Sequence, residues 1–366
     1  MERKKRRSGF AAPAVLIVAL LCLLAWFLAK RIVSGGSGTL RTAIELPAKS
    51  MYHTETLGDG VLYNDGATLH ALNNRGRQIW SFSAGTGADF SVGAGGVATW
   101  AGNLITLLGA SNGSTLYSSR IEGGSIRSAY LGEIYAAIQI GEERASSIVL
   151  LDVGGSKRID VIDMSKKTVL DFGFFSGGTL FWIMTLDTEG TIPTCSVYTY
   201  RPGKTIAGTI TDSQQVLYEV LFQSSHVRVV GTTHIKDYDY AGREIVDDRI
   251  LVYGWYLMGI DDAAENPLMV FAPNEAALSG KGVQDIRIIH GQVDRAVRLP
   301  YPATKLLPCG DAVYAFNNQF VMVCRPGSAT PERYALPMYV DSVLGLTDDH
   351  RAIVTYNGSV YIVPLP

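Results

Sequence analysis

Charge is scarce in this sequence, and what there is lies unevenly. Only 18% of the 366 residues are Asp, Glu, Lys or Arg. Residues 1–31 hold seven of the 32 bases and one of the 34 acids, so the rest carries 25 bases against 33 acids, a net of −8. An acidic body with no basic stripe excludes a binder of phosphate backbones, and no nucleic-acid partner is expected. Cysteine is scarce too. Of four, Cys22 lies in an apolar run, leaving Cys195, Cys309 and Cys324. That is too few for a disulfide-built scaffold. Cys309 and Cys324 flank the hairpin 312–323, which leaves a bridge between them geometrically open; free, buried thiols are the reading adopted. Helix signals are nearly absent after residue 38, the best being residues 274–278.

Residues 10–29 form a twenty-residue run without a charge. A helix of that length spans ~30 Å, the thickness of a bilayer's hydrocarbon core. Arg3, Lys4, Lys5, Arg6 and Arg7 precede it, and Lys30 and Arg31 follow. The larger positive cluster is expected in the cytoplasm, which puts the C-terminal body outside the cell. A cleaved signal peptide would have a shorter apolar core and small residues at its end. Phe27-Leu28-Ala29-Lys30 lacks them, so an uncleaved signal anchor is expected. The organisation read from this is a basic cytoplasmic tail (1–9), a transmembrane helix (10–29), a Gly/Ser tether (30–38) and an ectodomain (39–366).

The stretch 60–82, GVLYNDGATLHALNNRGRQIWSF, is the template for that ectodomain. It reads as strands at 61–64, 68–73 and 77–82, joined by turns at Asp65-Gly66 and at Asn73-Asn74-Arg75-Gly76. Asx and Gly supply the positive φ that hairpin turns demand, and the β-branched and aromatic flanks suit a pleated surface. The hairpin recurs. LHALNNRGRQI (69–79) matches IKDYDYAGREI (235–245), and Arg-Pro-Gly ends both 197–203 and 321–327. Looser copies cover 105–116, 159–169 and 286–297. The turns are expected near Gly76, Gly113, Lys166, Gly203, Gly242, Gly291 and Gly327, with a mean gap of about 42 residues. This is the period of four-stranded propeller blades.

The fold expected is therefore all-β: a propeller of about eight (alternatively seven) four-stranded blades after one N-terminal transmembrane helix. The last unit, with strands near 351–356 and 359–363, lacks an outer strand. The lone strand-like segment 39–46 could fill that gap and close the ring, removing open sheet edges.

The strand–Gly-turn–strand pattern ending in Ile79-Trp80 resembles the repeat of PQQ-like, or quinoprotein-like, propellers, a WD40-like architecture. The whole arrangement, with stretches such as FGFFSGGTLFWIMTL (172–186) and YGWYL (253–257), resembles a family of uncharacterised clostridial and other Gram-positive proteins. The resemblance implies one membrane helix and a propeller ectodomain of unknown function. It carries over no functional residues. The docking repeats of quinone-dependent enzymes are rich in tryptophan. Trp80, Trp100, Trp182 and Trp255 are too few and too irregular for that, and no cofactor is expected.

Short motifs for chemistry fail on context. Gly109-Ala110-Ser111-Asn112-Gly113 fits G-x-S-x-G, but a strand follows where a nucleophile elbow needs a helix. Gly203-Lys204-Thr205 lacks the earlier Gly and the helix of a P-loop. The segment 237–248 opens like a calcium loop, but Ala241 stands at a ligand position and Asp248 replaces the bidentate Glu. Asp247-Asp248, Asp261-Asp262 and Asp348-Asp349 read as solvated loop tips. No histidine has zinc-site spacing, although His226 and His234 could share a strand face. No catalytic or metal residues are assigned. The candidate binding-surface aromatics are Tyr238, Tyr240, Tyr253, Trp255 and Tyr256, which would suit glycan or peptide binding if exposed and would fill inter-sheet space if buried.

The sequence thus points to a non-catalytic module at the cell membrane that binds a protein or glycan of the envelope. The rival is an envelope enzyme, a hydrolase or a quinone-linked oxidoreductase, with its site in the central channel.

Overall fold

The computed structural model describes residues 37–40, 42–142, 145–154, 157–204, 206–263 and 266–366. The tail 1–9, the apolar span 10–29 and most of the tether 30–38 lie outside the described residues. Among the described residues, no helix is long and apolar enough to cross a membrane.

Eight sheets, each built on four antiparallel strands, form an eight-bladed propeller. In chain order, blades 1 to 7 comprise residues 54–83, 89–120, 126–163, 168–212, 217–251, 255–303 and 305–335. Blade 8 comprises 342–364 and an outer strand from the other end of the chain, Ile44–Lys49. That strand lies antiparallel to Ser359–Pro364, with Ile44 opposite Ile362 and Leu46 opposite Val360. Just before it, Ser37–Thr39 pairs in parallel with Glu332–Ala335 as a fifth strand on blade 7. The segment 39–46 is thus divided between two blades. One short helix, α1 (Asn274–Leu278), sits in the turn between the second and third strands of blade 6.

The first strand of each blade faces the central axis. First strands of neighbouring blades touch between blades 1 and 2, 2 and 3, 6 and 7, 7 and 8, and 8 and 1. The fourth strands form the rim and are largely exposed, as in Glu244–Leu251. The second and third strands carry the core. Alternate residues of a strand point to opposite faces, so each middle strand serves two gaps. Leu62 packs between blades 1 and 2, while Val61 and Tyr63 pack between blades 8 and 1. Eight apolar clusters fill the eight gaps.

The repeated turn has a physical reason. Asn73 and Asp239 close the same loop: each side-chain Oδ1 accepts the N–H groups two and four residues on. The following Gly bears a positive φ. That Gly also lets the turn seat against the fourth strand of the preceding blade. A Cβ on Gly76 would lie 3.0 Å from the Leu46 side chain, and one on Gly242 2.0 Å from the Thr209 carbonyl oxygen.

One expected turn is misassigned. The chain at Lys166 does not join two strands of a sheet; it links the last strand of blade 3, Lys157–Asp163, to the first of blade 4, Thr168–Phe175. The hairpin turn of blade 3 follows Ala145–Asp152 instead. A blade link and a hairpin turn have the same local pattern, and only the pairing of the flanking strands separates them.

Candidate functional site

Because neighbouring strands alternate in direction, the connections sort onto two faces. Links between blades and turns between second and third strands share one face, here called upper. Turns between first and second, and between third and fourth strands, share the lower face.

Six tyrosines are exposed among the described residues, and five of them, Tyr253, Tyr256, Tyr301, Tyr339 and Tyr356, stand at the upper ends of blades 5 to 8. Tyr253 is 74% exposed in the link between blades 5 and 6, and Tyr339 is 49% exposed in the link between blades 7 and 8. Tyr256 begins the first strand of blade 6, its ring 5.5 Å from that of Tyr218. Tyr301 ends the fourth strand of blade 6, and the Arg333 guanidinium donates to its hydroxyl at 2.9 Å. Leu251 and Leu278 are exposed on the same face. Asn317, Asn318 and Gln319 supply neutral polar groups there. Tyrosine offers a large rigid contact area with a polar tip, and it is enriched where proteins dock.

The five sequence-selected aromatics do not form one surface. Tyr253, Trp255 and Tyr256 are upper, whereas Tyr238 and Tyr240 are lower. Trp255 is half-buried, with the Arg287 guanidinium 5.9 Å from its ring. Tyr238 is buried between blades 4 and 5 with Trp182 and Val197, and burial pushes its hydroxyl pKa well up. Tyr240 donates to the Gln223 carbonyl, and its ring is nearly parallel to that of Phe175 with the centroids 6.4 Å apart. Tyr301, Tyr339 and Tyr356 carry no sequence signal, since two lie near the ends of different strands and one in a link, and only ring closure puts them on one face.

The lower mouth of the channel holds a cavity of about 490 Å³ between the first turns of blades 6, 7 and 8. Ile260, Leu307, Pro308 and Leu346 form its apolar wall, and Asp261, Asp262, Asp348, Cys309 and His350 its polar side. His350 adopts φ +57, and its Nδ1 lies 3.2 Å from the Cys309 Sγ. A thiol beside an imidazole is a nucleophile only as the thiolate. Burial pushes the Cys309 thiol pKa up, and the charges of Asp261 and Asp348 push the same way. The geometry therefore keeps the proton on sulfur. Cys309 and Cys324 are both free, and burial raises the Cys324 thiol to about 12.

Other sequence-flagged groups have structural partners. Gly109–Gly113 is a rim turn of blade 2, closed by Gly113 N–H to the Gly109 carbonyl. Asp237 receives both arms of Arg228, and Asp239 closes its own turn. His226 and His234 stand at opposite ends of blade 5, because the chain reverses at Thr232-Thr233 between them. Among the described residues, no three His, Cys, Asp or Glu side chains are arranged to hold a metal ion. In the channel, burial raises the Glu219 carboxyl from 4.5 to about 7, with Asp171 and Asp262 adding to the effect.

No family model matches this chain, and no curated protein sequence does. Solved structures do. The C-terminal WD40 domain of Sif2 aligns with a TM-score of 0.63 at 9% identity, over 91% of this chain and 100% of that one. BamB from Moraxella catarrhalis aligns at 0.54 and 10% identity, over 89% and 99%. The computationally designed Ika8 protein aligns at 0.58 and 12% identity, over 90% and 99%. The chain has the fold of these propellers.

Proposed function

We propose that this protein is a non-catalytic docking scaffold that binds a protein partner through the upper face of blades 5 to 8. The observation that carries the reading is the convergence of Tyr253, Tyr256, Tyr301, Tyr339 and Tyr356 on that one face. Exposed aromatics amid neutral amides bind through contact area and ring faces rather than net charge. A glycan would use the same rings, so it is an outcome of the test.

The scaffold is held at the cell membrane as a single-pass protein with its propeller outside the cell. Support comes from the uncharged run 10–29 and the five bases before it. It also comes from the PQQ-like repeat pattern and the resemblance to Gram-positive single-helix proteins. A photo-crosslinking residue at Tyr253 in the full chain, in intact cells, tests the docking reading. It is expected to trap one protein species, and the same residue at Tyr240 is expected to trap none. Equal trapping at both positions would overturn it, as would selective binding to an immobilised glycan panel with no protein trapped.

A further inference from the structure

We propose that the cavity at the lower mouth of the channel is a receptor for a guanidinium group on an aliphatic stem. The group can reach the site as a free small molecule or as an arginine side chain of a bound polypeptide. This site lies on the face opposite the tyrosines and stands independently of the docking reading above.

The cavity divides its lining by chemistry. Ile260, Leu307, Pro308 and Leu346 give an apolar wall, and Asp261, Asp262 and Asp348 bring carboxylates to its edge. Among the described residues, no Lys or Arg lines it. None of these three carboxylates is in an ion pair among the described residues. The contrast within one turn is informative. Asp349 is fully engaged, accepting from Thr347, Asn74 and Arg351. Its neighbour Asp348 is exposed, and among the described residues only its backbone is used, its N–H donating to the Gly58 carbonyl of blade 1. Asp349 serves the fold; Asp348 has no structural work for its charge.

Asp261 is positioned differently. It accepts the N–H groups of Ala263 and Gly310, which ties the turn of blade 6 to that of blade 7. The carboxylate retains lone pairs for a further donor. His350 is held in a left-handed conformation rare for a residue with a side chain, and its Nδ1 lies 3.2 Å from the Cys309 Sγ in the lining of the site. A cavity near 490 Å³ falls in the range of small-ligand sites.

Guanidinium fits this lining better than a compact cation. It is planar, always charged and weakly hydrated, so it tolerates an apolar wall while presenting several N–H donors to carboxylates on different blades. An adjoining recess that shares Asp262 is lined by Gln223, whose buried Nε2 has no hydrogen-bond partner among the described residues. An arginine within a polypeptide would bring a backbone carbonyl that such a donor can bind.

The test is calorimetric titration of the full-length chain with agmatine, with N-acetyl-arginine methylamide and with its neutral citrulline counterpart. Saturable binding of a guanidinium probe, weakened by salt and absent for citrulline, is expected. Binding of both guanidinium probes assigns the site to the free group; binding of the arginine amide alone assigns it to a polypeptide side chain. The double variant Asp262→Asn/Asp348→Asn is expected to lose about tenfold or more in affinity. Asp311→Asn, on the same face but outside the cavity, is expected to change nothing, and both variants should melt like the parent. No saturable binding of either guanidinium probe, equal binding of citrulline, or parental affinity in the double variant would overturn the proposal.

Discussion

The Lys236 ammonium lies 2.8 Å from the Asp212 carboxylate, and the two belong to neighbouring blades. Both side chains are almost wholly buried, at 5% and 2% exposure. Gln215 donates to the same carboxylate and in turn accepts the N–H groups of Thr233 and His234. This network fastens the end of blade 4 to the middle of blade 5. Removing one partner leaves the other charge buried and unpaired, which costs about 3–5 kcal/mol. Lys236→Met is expected to lower the urea midpoint strongly, and Asp212→Leu/Lys236→Met to recover most of the loss. Burial alone would raise the Asp212 carboxyl, but Lys236 and the Gln214 N–H hold it below the usual carboxylate range. Its contribution is therefore full above an unfolded pKa of about 4 and is lost as pH falls through the lower folded value.

Glu219 has the opposite sign. Its folded pKa of about 7 exceeds the ordinary 4.5, so the folded state holds the proton longer than the unfolded chain does. Stability is full below pH ~4.5 and falls as pH rises toward and through 7, by about 3 kcal/mol. Glu219→Gln is expected to be more stable than the parent at pH 8 and close to it at pH 4. Thermal melting at the two pH values measures the difference.

Tyr253→Ser and Tyr339→Ser remove rings that are 74% and 49% exposed. Such changes shift stability by less than about 0.5 kcal/mol. Partner binding is expected to weaken about tenfold or more for at least one of them. Melting curves and a binding isotherm on the same preparations separate the two effects.

Leu46 is 3% exposed and packs with Val61, Tyr63, Ile353 and Val360 across the gap between blades 8 and 1. Leu46→Ala is expected to cost about 2–5 kcal/mol. Its effect should localise. Hydrogen exchange is expected to rise first in Ile44–Lys49 and Ser359–Pro364, the two strands it joins.

Much of the ring was legible in the sequence, for reasons local to single blades. The template 60–82 folds as Gly60–Asn64, Thr68–Leu72 and Gln78–Ser83, within a residue or two of the strands read from it. Asx-x-x-Gly turns determine their own geometry, so LHALNNRGRQI and IKDYDYAGREI fold alike. The cavity was not legible. Asp261-Asp262, Cys309 and Asp348 each have an ordinary local reading in the sequence. Their meeting depends on three blades standing side by side, which no local pattern encodes. The tyrosine face escaped for the same reason.

The last sheet joins Ile44–Lys49 to Ser359–Pro364, so one of its strands is synthesised near the start of the propeller and its partner near the end. Through most of translation that early strand has no mate, and its free edge is open to other chains. Seven sheets can assemble as they emerge, but the circle is sealed only once Ser359–Pro364 has been made and has left the ribosome. Slow or truncated synthesis should therefore yield a gapped ring prone to aggregation.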